Sequence, residues 1–381
     1  MARRASMVLC AAIAASIVVS AGARTGAPAA EDPQRFARLA RRPGLEAPRA
    51  AVAALGQAVV AAPAGLERLE WQITRAIARY RGRVGVAIEH LESGARVAVN
   101  DAERFPLASV YKLPILVELW AQAQAGRLAL TDRVELRPQD RHIGSGDISV
   151  YFDLPGVAMD LRNLANMMMI VSDNSATDVL LGRLGAASVT ARMRALGLTE
   201  IRVDRTTQEL ILDYGGHDTE KLKGLLLEEL RPLLRRGPEE EADRLARDAR
   251  LAADPRDQAT PRDFNRLLAM LWRGQVVDRE ASAAMLDLMK RCQTGQNRIK
   301  GLLPPDTVVA HKTGTLGGTI NDAGIVYLPD DAGHVAITVF TKEMRGPAAE
   351  VERLIADIAR FAYDYFYFTG SGTTSDGSGR R

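Results

Sequence analysis

Ser109 and Lys112 are spaced so that they could act together as a nucleophile and its base. They lie at the start of the helical run LASVYKLPILVELWAQAQ, and residues i and i+3 of a helix share one face. The N-terminal end of a helix favours the negative charge that develops on an attacking serine oxygen, and a neighbouring neutral lysine can accept the serine proton. The surrounding residues are mostly apolar, which argues against a chance Ser-x-x-Lys motif on the surface.

Two further polar segments each follow an apolar run. Ser-Asp-Asn at 172–174 follows LANMMMIV, and Lys-Thr-Gly-Thr at 312–315 follows the short predicted strand DTVVAH. Polar side chains at the end of a buried helix need hydrogen-bond partners. A lysine, hydroxyls and backbone N–H groups at a strand edge can bind a carboxylate and polarise a carbonyl. Taken singly, the first segment is equally well explained as a helix cap and the second as a hairpin turn.

The three motifs together, in this order, form a specific pattern. Ser-x-x-Lys, Ser-Asp-Asn and Lys-Thr-Gly are the signature set of the penicillin-recognising serine enzymes. Over about residues 66–368, the chain resembles the class A β-lactamase family. Further matches to that family are RFPLAS at 104–109, TPRD at 260–263, Arg298 ahead of GLLP at 301–304, and Asn-Asp at 321–322.

The resemblance implies a role for each matching residue. Ser109 would be the acylated nucleophile, Lys112 its proton partner, and Ser172 the relay of a proton to the leaving nitrogen. The substrate-binding residues would be Asn174 for the side-chain amide, and Lys312, Thr313, Thr315 and Arg298 for the carboxylate. The backbone N–H groups of Ser109 and Thr315 would form the oxyanion hole.

One departure from the family pattern concerns the removal of the acyl group. The family carries Arg-x-Glu-x-x-x-Asn in its omega loop, where the glutamate activates the deacylating water. With Arg205 aligned, the glutamate position holds Thr207 and the asparagine position holds Ile211. Glu209, two residues late, is the nearby glutamate and the candidate for the missing catalytic base. Either Glu209 acts from a different loop path, or deacylation is slow.

The elements that must position these residues come from both ends of the chain. Periodicity predicts a helix at 67–80, strands at 83–89, 95–99, 307–311, 319–327 and 334–341, and a last helix at 347–365. The first two strands read as a hairpin, and a mostly helical middle separates them from the others. The prediction is an α+β fold of the β-lactamase/transpeptidase type, with an antiparallel sheet flanked by helices and an all-α subdomain.

Residues 216–257 form a charged segment that we interpret as a helical insertion. Two helical runs are predicted at 219–235 and 239–252, on either side of Gly237-Pro238. The first run carries a stripe of leucines, and the second consists almost entirely of charged residues and alanine. The pattern indicates a hairpin of helices with one buried stripe and one solvated face.

The two chain ends are predicted to lie outside the folded part. Residues 1–23 follow the order of a secretory signal peptide, with two arginines, an apolar stretch at 7–20 and Ala-Gly-Ala at 21–23. Composition predicts a linker at 24–65, with a short helix near 50–60, and a flexible tail at 369–381. The expected location is therefore periplasmic or secreted.

Composition limits the classes of function. The chain has 381 residues and a formal net charge of +3, which argues against a broadly basic nucleic-acid-binding protein. Two cysteines exclude a disulfide scaffold, and the spacing of the five histidines does not suit a metal site. We expect a monomer without metal or cofactor, whose partner is a small β-lactam or related amide substrate.

The sequence therefore predicts an exported serine hydrolase of the class A β-lactamase type. It would open β-lactam amides through a Ser109 acyl-enzyme and deacylate slowly. Two alternatives stay open. One is a cell-wall peptidase or esterase on the same fold, for which the family's glutamate would be dispensable. The other is a penicillin-binding sensor that is acylated and does not hydrolyse the adduct.

Overall fold

The fold is built on one antiparallel sheet. A computed structural model describes residues 65–234 and 240–370 of the chain. The strands in these ranges are β1 (Arg83–His90), β2 (Arg96–Val99), β3 (Phe105–Pro106), β4 (Arg133–Glu135), β5 (Ala158–Asp160), β6 (Gln258–Ala259), β7 (Val309–Leu316), β8 (Thr319–Tyr327) and β9 (His334–Lys342). Five of them form the main sheet, in the order β2-β1-β9-β8-β7.

Helices cover the sheet and make up the rest of the described chain. The α-helices are α1 (Leu66–Ile77), α2 (Lys112–Gln124), α3 (Ile148–Tyr151), α4 (Leu161–Ile170), α5 (Asn174–Leu184), α6 (Ala186–Ala195), α7 (Thr207–Tyr214), α8 (Thr219–Leu222), α9 (Leu227–Leu233), α10 (Glu241–Ala253), α11 (Pro261–Trp272), α12 (Arg279–Lys290) and α13 (Ala348–Gly370). Short 3₁₀ helices span Ala108–Tyr111, Pro138–Asp140 and Ile299–Leu302.

The sheet joins strands from both ends of the chain, and the predicted α+β class is confirmed. β1 pairs with β2 as a hairpin, and on its other side it pairs with β9, from Arg83 opposite Lys342 to His90 opposite Val335. β8 lies between β9 and β7. The ends of β1, β2, β8 and β9 differ from the predicted ends by no more than one residue.

Both faces of the sheet are covered. On one face, Leu69 of α1 and Leu354 of α13 share a buried cluster with Val86 and Val339 of the central strands. On the other face, Phe340 of β9 belongs to the larger cluster that fills the helical subdomain. Strands that are buried on both faces read as nearly continuous apolar runs, which is why β1 and β9 were found from the sequence.

α2 runs through the centre of the helical subdomain. Ten of its residues, Lys112 to Ala121, are buried without interruption, so the helix is enclosed all round rather than amphipathic. Pro114 lies in the first turn, where a missing N–H costs no hydrogen bond within the helix. Lys112, the first residue of this helix, is therefore held in the protein interior.

β7 is longer than the sequence predicts. It runs to Leu316 rather than ending at residue 311, because its pairing with β8 continues until Leu316 lies opposite Thr319. The Lys-Thr-Gly-Thr segment therefore lies inside an edge strand and not in the hairpin turn that was the alternative interpretation. At the C-terminal end, α13 continues to Gly370, into the first residues of the predicted tail.

The prediction of one helical run at 219–235, in the 216–257 insertion, is wrong in part. The structure has two short helices there, α8 and α9, and between them Gly224 adopts the left-handed φ of 82°, which ends a helix. Of the predicted leucine stripe, Leu230 is buried in a cluster with Ile143 and Leu233 is exposed, whereas Leu227, which is not part of that stripe, is buried in the same cluster. The second predicted run corresponds to α10.

The predicted signal peptide, residues 24–64 of the predicted linker and residues 371–381 of the tail lie outside the described residues. Within residues 65–234 and 240–370, no helix combines the length and the apolar character that crossing a bilayer requires.

Asn321 of β8 connects the sheet to the segment that leads into the Ser109 turn. Its Nδ2 donates to Pro106 O at 2.8 Å and to Leu107 O at 3.2 Å, and its Oδ1 accepts from Thr341 N at 2.8 Å. The side chain is fully buried, so it supplies hydrogen bonds to backbone groups away from water; Leu107 O also accepts from Val110 N at 3.2 Å.

We expect Asn321→Ala to lower the free energy of unfolding by about 2–4 kcal/mol, because it leaves buried backbone groups without partners. The measurement is urea unfolding at equilibrium. Asn297→Ala, which removes an exposed amide, should change the stability by less than about 0.5 kcal/mol. Equal stability of the two variants would contradict the structural role given to Asn321.

Candidate active site

Ser109 lies on a strained turn beside the edge of the sheet. In its 3₁₀ helix, Ala108 has the left-handed φ of 46°, a conformation that costs energy for a residue with a side chain. β7 passes closely, since a Cβ on Gly314 would lie 2.6 Å from Leu107 O and 3.0 Å from Ser109 N. Glycine at 314 thus allows the Ser109 N–H to lie next to β7, where Thr315 can supply a second N–H to a shared oxyanion hole.

Lys112 is fully buried and its amine points at the 172–174 segment. Nζ donates to Ser172 O at 2.7 Å, to Ser172 Oγ at 3.1 Å and to Asn174 Oδ1 at 2.8 Å. Burial lowers the pKa of Lys112 well below its usual value, and the positive charge of Lys312 lowers it further. A lysine with so low a pKa can be neutral at physiological pH and accept a proton.

The Ser172 hydroxyl lies between two lysine side chains. It accepts from Lys112 Nζ at 3.1 Å and from Lys312 Nζ at 3.0 Å, and its own backbone is left-handed, with a φ of 60°. Lys312 Nζ also donates to Thr313 O at 2.8 Å, and burial lowers the pKa of Lys312 to about 8. With both amines donating to its oxygen, the hydroxyl proton is not used in either of these two hydrogen bonds.

Asn174 is held by the loop at 143–145. Its Nδ2 donates to Ile143 O at 2.9 Å, and its Oδ1 accepts from Ser145 Oγ at 3.3 Å in addition to Lys112. Ser145 Oγ also donates to Ser172 O at 2.8 Å. A side chain at Gly144 would clash with the Asn174 amide, so the loop and the triplet pack together as one wall of the site.

Arg298 lies behind β7 and reaches the predicted carboxylate-binding residues. Its Nη2 donates to Thr315 Oγ1 at 2.7 Å, and its Nη1 donates to Gly314 O at 3.1 Å and Asn321 O at 2.9 Å. Its Nε donates to Glu352 Oε1 at 3.1 Å. The residue is 6% exposed, so its charge acts on Thr315 with little screening by water.

Thr313 is connected to a buried cysteine that the sequence analysis assigned to no site. Thr294 Oγ1 lies 2.6 Å from Thr313 Oγ1 and 3.3 Å from Cys292 Sγ. Burial raises the pKa of a thiol, but the adjacent His311 imidazole outweighs it and lowers the pKa of Cys292 to about 6. The chain from Cys292 to Thr313 therefore ends on a predicted substrate-binding hydroxyl.

His311 and Asp322 complete this buried cluster. His311 Nδ1 lies 3.0 Å from Asp322 Oδ1, and both residues are fully buried. Burial disfavours the charged imidazole, but Asp322 outweighs it and raises the pKa of His311 to about 10. The signal in the sequence was that each of the two residues adjoins a motif residue, His311 next to Lys312 and Asp322 next to Asn321.

The cavity beside Ser109 has a volume of about 160 Å³. The residues that line it are Ala108, Ser109, Tyr111, Gly144, Ser145, Asn174, Thr207, Leu210, Ile211, Thr315 and Leu316. None of these described lining residues carries a carboxylate.

In the part of the chain that the structure describes, no cluster of three or more His, Cys, Asp or Glu side chains could hold a metal ion.

Glu209 is on α7 but is not among the residues that line the cavity. Its Oε2 accepts from Thr206 N at 2.9 Å and from Thr206 Oγ1 at 3.0 Å, in a capping box at the start of α7. Thr207 and Ile211, which occupy the family's glutamate and asparagine positions, do line the cavity. The role of Glu209 as a base stays a prediction, and in this structure its carboxylate caps the helix.

Asp178 fixes α7 against α5, and the sequence analysis missed it. Its Oδ1 accepts from Thr207 N at 2.7 Å, and its Oδ2 accepts from Gln208 N at 3.1 Å and contacts His142 Nδ1 at 2.5 Å. Burial lowers the pKa of His142, but Asp178 outweighs it, so the pKa is raised. A usable signal was the position of Asp178 one helical turn after Asn174, on the same face.

Comparison with known proteins finds relatives along most of the chain. The model of the "Beta-lactamase enzyme family" matches residues 68–366. The chain is 25% identical to the beta-lactamase VEB-1 of Pseudomonas aeruginosa over 318 residues, which cover 81% of this chain and 93% of that protein. It is 29% identical to the carbapenem-hydrolyzing beta-lactamase KPC of Klebsiella oxytoca over 290 residues, or 75% and 84% of the two chains. A crystal structure of a beta-lactamase from Sphaerobacter thermophilus matches with a TM-score of 0.63 and 25% identity, over 80% of this chain and 99% of that one.

We expect Lys112→Arg to slow acylation by a penicillin by roughly two to four orders of magnitude, because arginine keeps the charge but cannot take up the serine proton. Intact-protein mass spectrometry measures the rate at which the adduct forms. Lys290→Arg, near the surface, is the matched control. Acylation at the wild-type rate in a folded Lys112→Arg protein would contradict the role of Lys112.

The pH dependence of acylation should report the charge of Lys312. Below about pH 8 the Lys312 ammonium is charged and can bind a substrate carboxylate, and above this pH it becomes neutral. The second-order rate constant for acylation by a penicillin should therefore fall as the pH rises through about 8. A penicillin methyl ester, which lacks the carboxylate, should not show this fall. The same alkaline fall for acid and ester would contradict the assignment.

Proposed function

This chain belongs to the beta-lactamase enzyme family, and on that premise we propose that it is an exported serine hydrolase of the class A type. It opens β-lactam amides through an acyl-enzyme on Ser109. The observation that carries the proposal is the Ser172 hydroxyl, held between the buried amines of Lys112 and Lys312. This arrangement provides a proton acceptor and a proton donor on the segments that adjoin the Ser109 turn.

In the proposed acylation, Ser109 Oγ attacks the carbonyl carbon of the β-lactam and its proton passes to neutral Lys112 Nζ. The carbonyl oxygen takes the negative charge and accepts hydrogen bonds from the Ser109 and Thr315 N–H groups. When the C–N bond breaks, the ring nitrogen takes the Ser172 proton. Lys112 then returns its proton to Ser172 Oγ, with which it shares a hydrogen bond at 3.1 Å, so the step leaves only the serine ester.

The same elements suit a substrate that carries a carboxylate. Lys312 supplies a cation below about pH 8, and the hydroxyls of Thr313 and Thr315 supply hydrogen bonds. Arg298, whose charge is paired with Glu352 at 3.1 Å, lies behind Thr315 and donates to its Oγ1 at 2.7 Å. Charge-assisted hydrogen bonds of this kind are roughly twice as strong as neutral ones, so the carboxylate would fix the orientation of the β-lactam ring.

Slow deacylation is the second part of the proposal. A hydrolytic water needs a base within hydrogen-bond reach, and the described residues around the cavity include no carboxylate. Thr207 cannot act as a base near neutral pH, and Ile211 cannot hold a water by hydrogen bonding. Burial raises the pKa of Tyr111 well above its usual value, so this residue stays protonated as well.

Two other functions are distinguished from this one by the fate of the β-lactam. A penicillin-binding sensor would be acylated and keep its adduct, whereas a cell-wall peptidase or esterase would show neither adduct nor turnover with β-lactams.

Export by the predicted signal peptide at 1–23 is a further part of the proposal. The mass of the mature N-terminus from cells in which the chain is expressed would test that part.

We expect a pre-steady-state burst of one equivalent with nitrocefin, and then slow turnover, because acylation has its full machinery and deacylation lacks a base. The lost base should cost roughly two to four orders of magnitude in rate. Intact mass spectrometry should show the accumulated adduct, and Ser109→Ala should show none. Fast turnover without a burst would contradict slow deacylation, and labelling of Ser109→Ala would contradict the nucleophile.

Glu209→Gln decides between the two roles open to Glu209. If Glu209 is the relocated base, this variant should trap the adduct. If its carboxylate only caps α7, deacylation should hardly change, because glutamine can also accept from the Thr206 N–H. Gln208→Glu, which places a carboxylate on the adjoining residue, is a control for a general effect of charge on α7.

A further inference from the structure

The cavity beside Ser109 has two walls that come from different parts of the chain. α7 supplies Thr207, Leu210 and Ile211, and the end of β7 supplies Thr315 and Leu316. The space between these walls is about 160 Å³ and forms one part of the site, since Lys112, Ser172 and Lys312 do not line it. The separation of α7 and β7 therefore limits the size of the substrate side chain that can enter.

One carboxylate from the helical insertion joins these two walls. Asp248 of α10 accepts from Tyr214 Oη, at the end of α7, and from Gly318 N, in the turn after β7, both at 2.9 Å from Oδ1. Arg244, one turn earlier on α10, donates to Asp248 Oδ2 at 3.0 Å. Asp248 is 3% exposed, so these hydrogen bonds form where the local dielectric is low and each is worth more than at the surface.

The turn after β7 is shaped to admit this carboxylate. Gly317 has the left-handed φ of 54°, and a side chain there would clash with Tyr214 Oη and Asp248 Oδ1. A Cβ on Gly318 would lie 2.7 Å from Asp248 Oδ2. Two consecutive glycines thus leave room for Asp248 and Tyr214 to reach the backbone of the turn.

We propose that Asp248 is a positioning residue, supplied by the insertion, that holds α7 and β7 at a fixed separation and so restricts the site to β-lactams with small side chains. The proposal rests on the proposed β-lactamase function. Although α10 consists almost entirely of charged residues and alanine, Asp248 and Leu251 on its inner face are buried.

Two penicillins that share the nucleus and the carboxylate test the proposal. Benzylpenicillin has the smaller side chain, and a penicillin with a 2,6-dimethoxybenzoyl side chain has the bulkier one at the amide. The measured quantity is the ratio of their second-order rate constants for acylation, bulky over small. In Asp248→Ala we expect this ratio to rise roughly ten-fold, in keeping with the loss of buried hydrogen bonds. Tyr214→Phe, which removes one of the bonds, should change it in the same direction and by less.

Two matched variants show whether the change in the ratio of rate constants is specific to the hydrogen bonds of Asp248. Asp243→Ala removes an exposed carboxylate from the same helix and should keep the wild-type ratio. Asp248→Asn keeps an oxygen that can accept from Tyr214 and Gly318, so it should restore the ratio. An unchanged ratio in folded Asp248→Ala and Tyr214→Phe would overturn the proposal, and so would an equal fall of both rate constants, which loss of stability alone would cause.

Hydrogen exchange distinguishes failure of this inference from failure of the proposed function. The Gly318 amide donates to Asp248, so its exchange should be faster in Asp248→Ala, whether or not the protein reacts with β-lactams. Unchanged exchange would overturn the link between α10 and β7. A wild type that neither penicillin acylates would overturn the β-lactamase function, and with it the restriction on substrates, while faster exchange in the variant would still support the link.

Discussion

The structure depends on the burial of two lysine side chains at a single hydroxyl. Lys112 and Lys312 are both fully buried, and both donate to Ser172 Oγ. Two charged amines so close together and away from water repel each other strongly, and burial together with this repulsion lowers the pKa of Lys112. The surrounding elements bring the two amines together: α2 is enclosed all round and carries Lys112, β7 carries Lys312, and the left-handed backbone of Ser172 brings its hydroxyl between them.

α7 is held in place by ion pairs and by hydrogen bonds to its backbone, and not by the glutamate that the family has at position 207. Arg205, next to the helix start, is 5% exposed and contacts Asp257 at 2.6 Å and Asp213 at 2.7 Å. Asp178 binds the first N–H groups of α7 from another side. The helix is thus firmly held although Thr207 stands where the family has glutamate. The ion pairs and hydrogen bonds that hold α7 therefore do not require a glutamate at position 207.

The class A resemblance and the α+β class, both predicted from the sequence, are confirmed. Short motifs sufficed to single out Ser109, Lys112 and the 172–174 triplet, and the structure shows Lys112 in contact with that triplet, whereas the catalytic roles of these residues stay predictions. The sequence could not reveal the hydrogen bond from the Gly318 amide to Asp248, or the proximity of Cys292 to His311. Both contacts join segments that lie far apart in the chain. The length of β7 was missed for a related reason: its polar residues are satisfied by pairing with β8, and a local pattern does not show that pairing.

The order of strands in the sheet determines when the site can form during folding. β9 lies between β1 and β8, so strands from the start of the chain are completed by strands from its end. β7 reaches the sheet only through β8 and β9, and contacts between such distant segments make folding slow. During synthesis, Lys112 emerges long before Lys312 and remains without it until the C-terminal strands are made. In an incomplete chain, Ser109 and Lys112 are therefore present without Lys312, and the two lysines can meet only when the C-terminal strands complete the sheet.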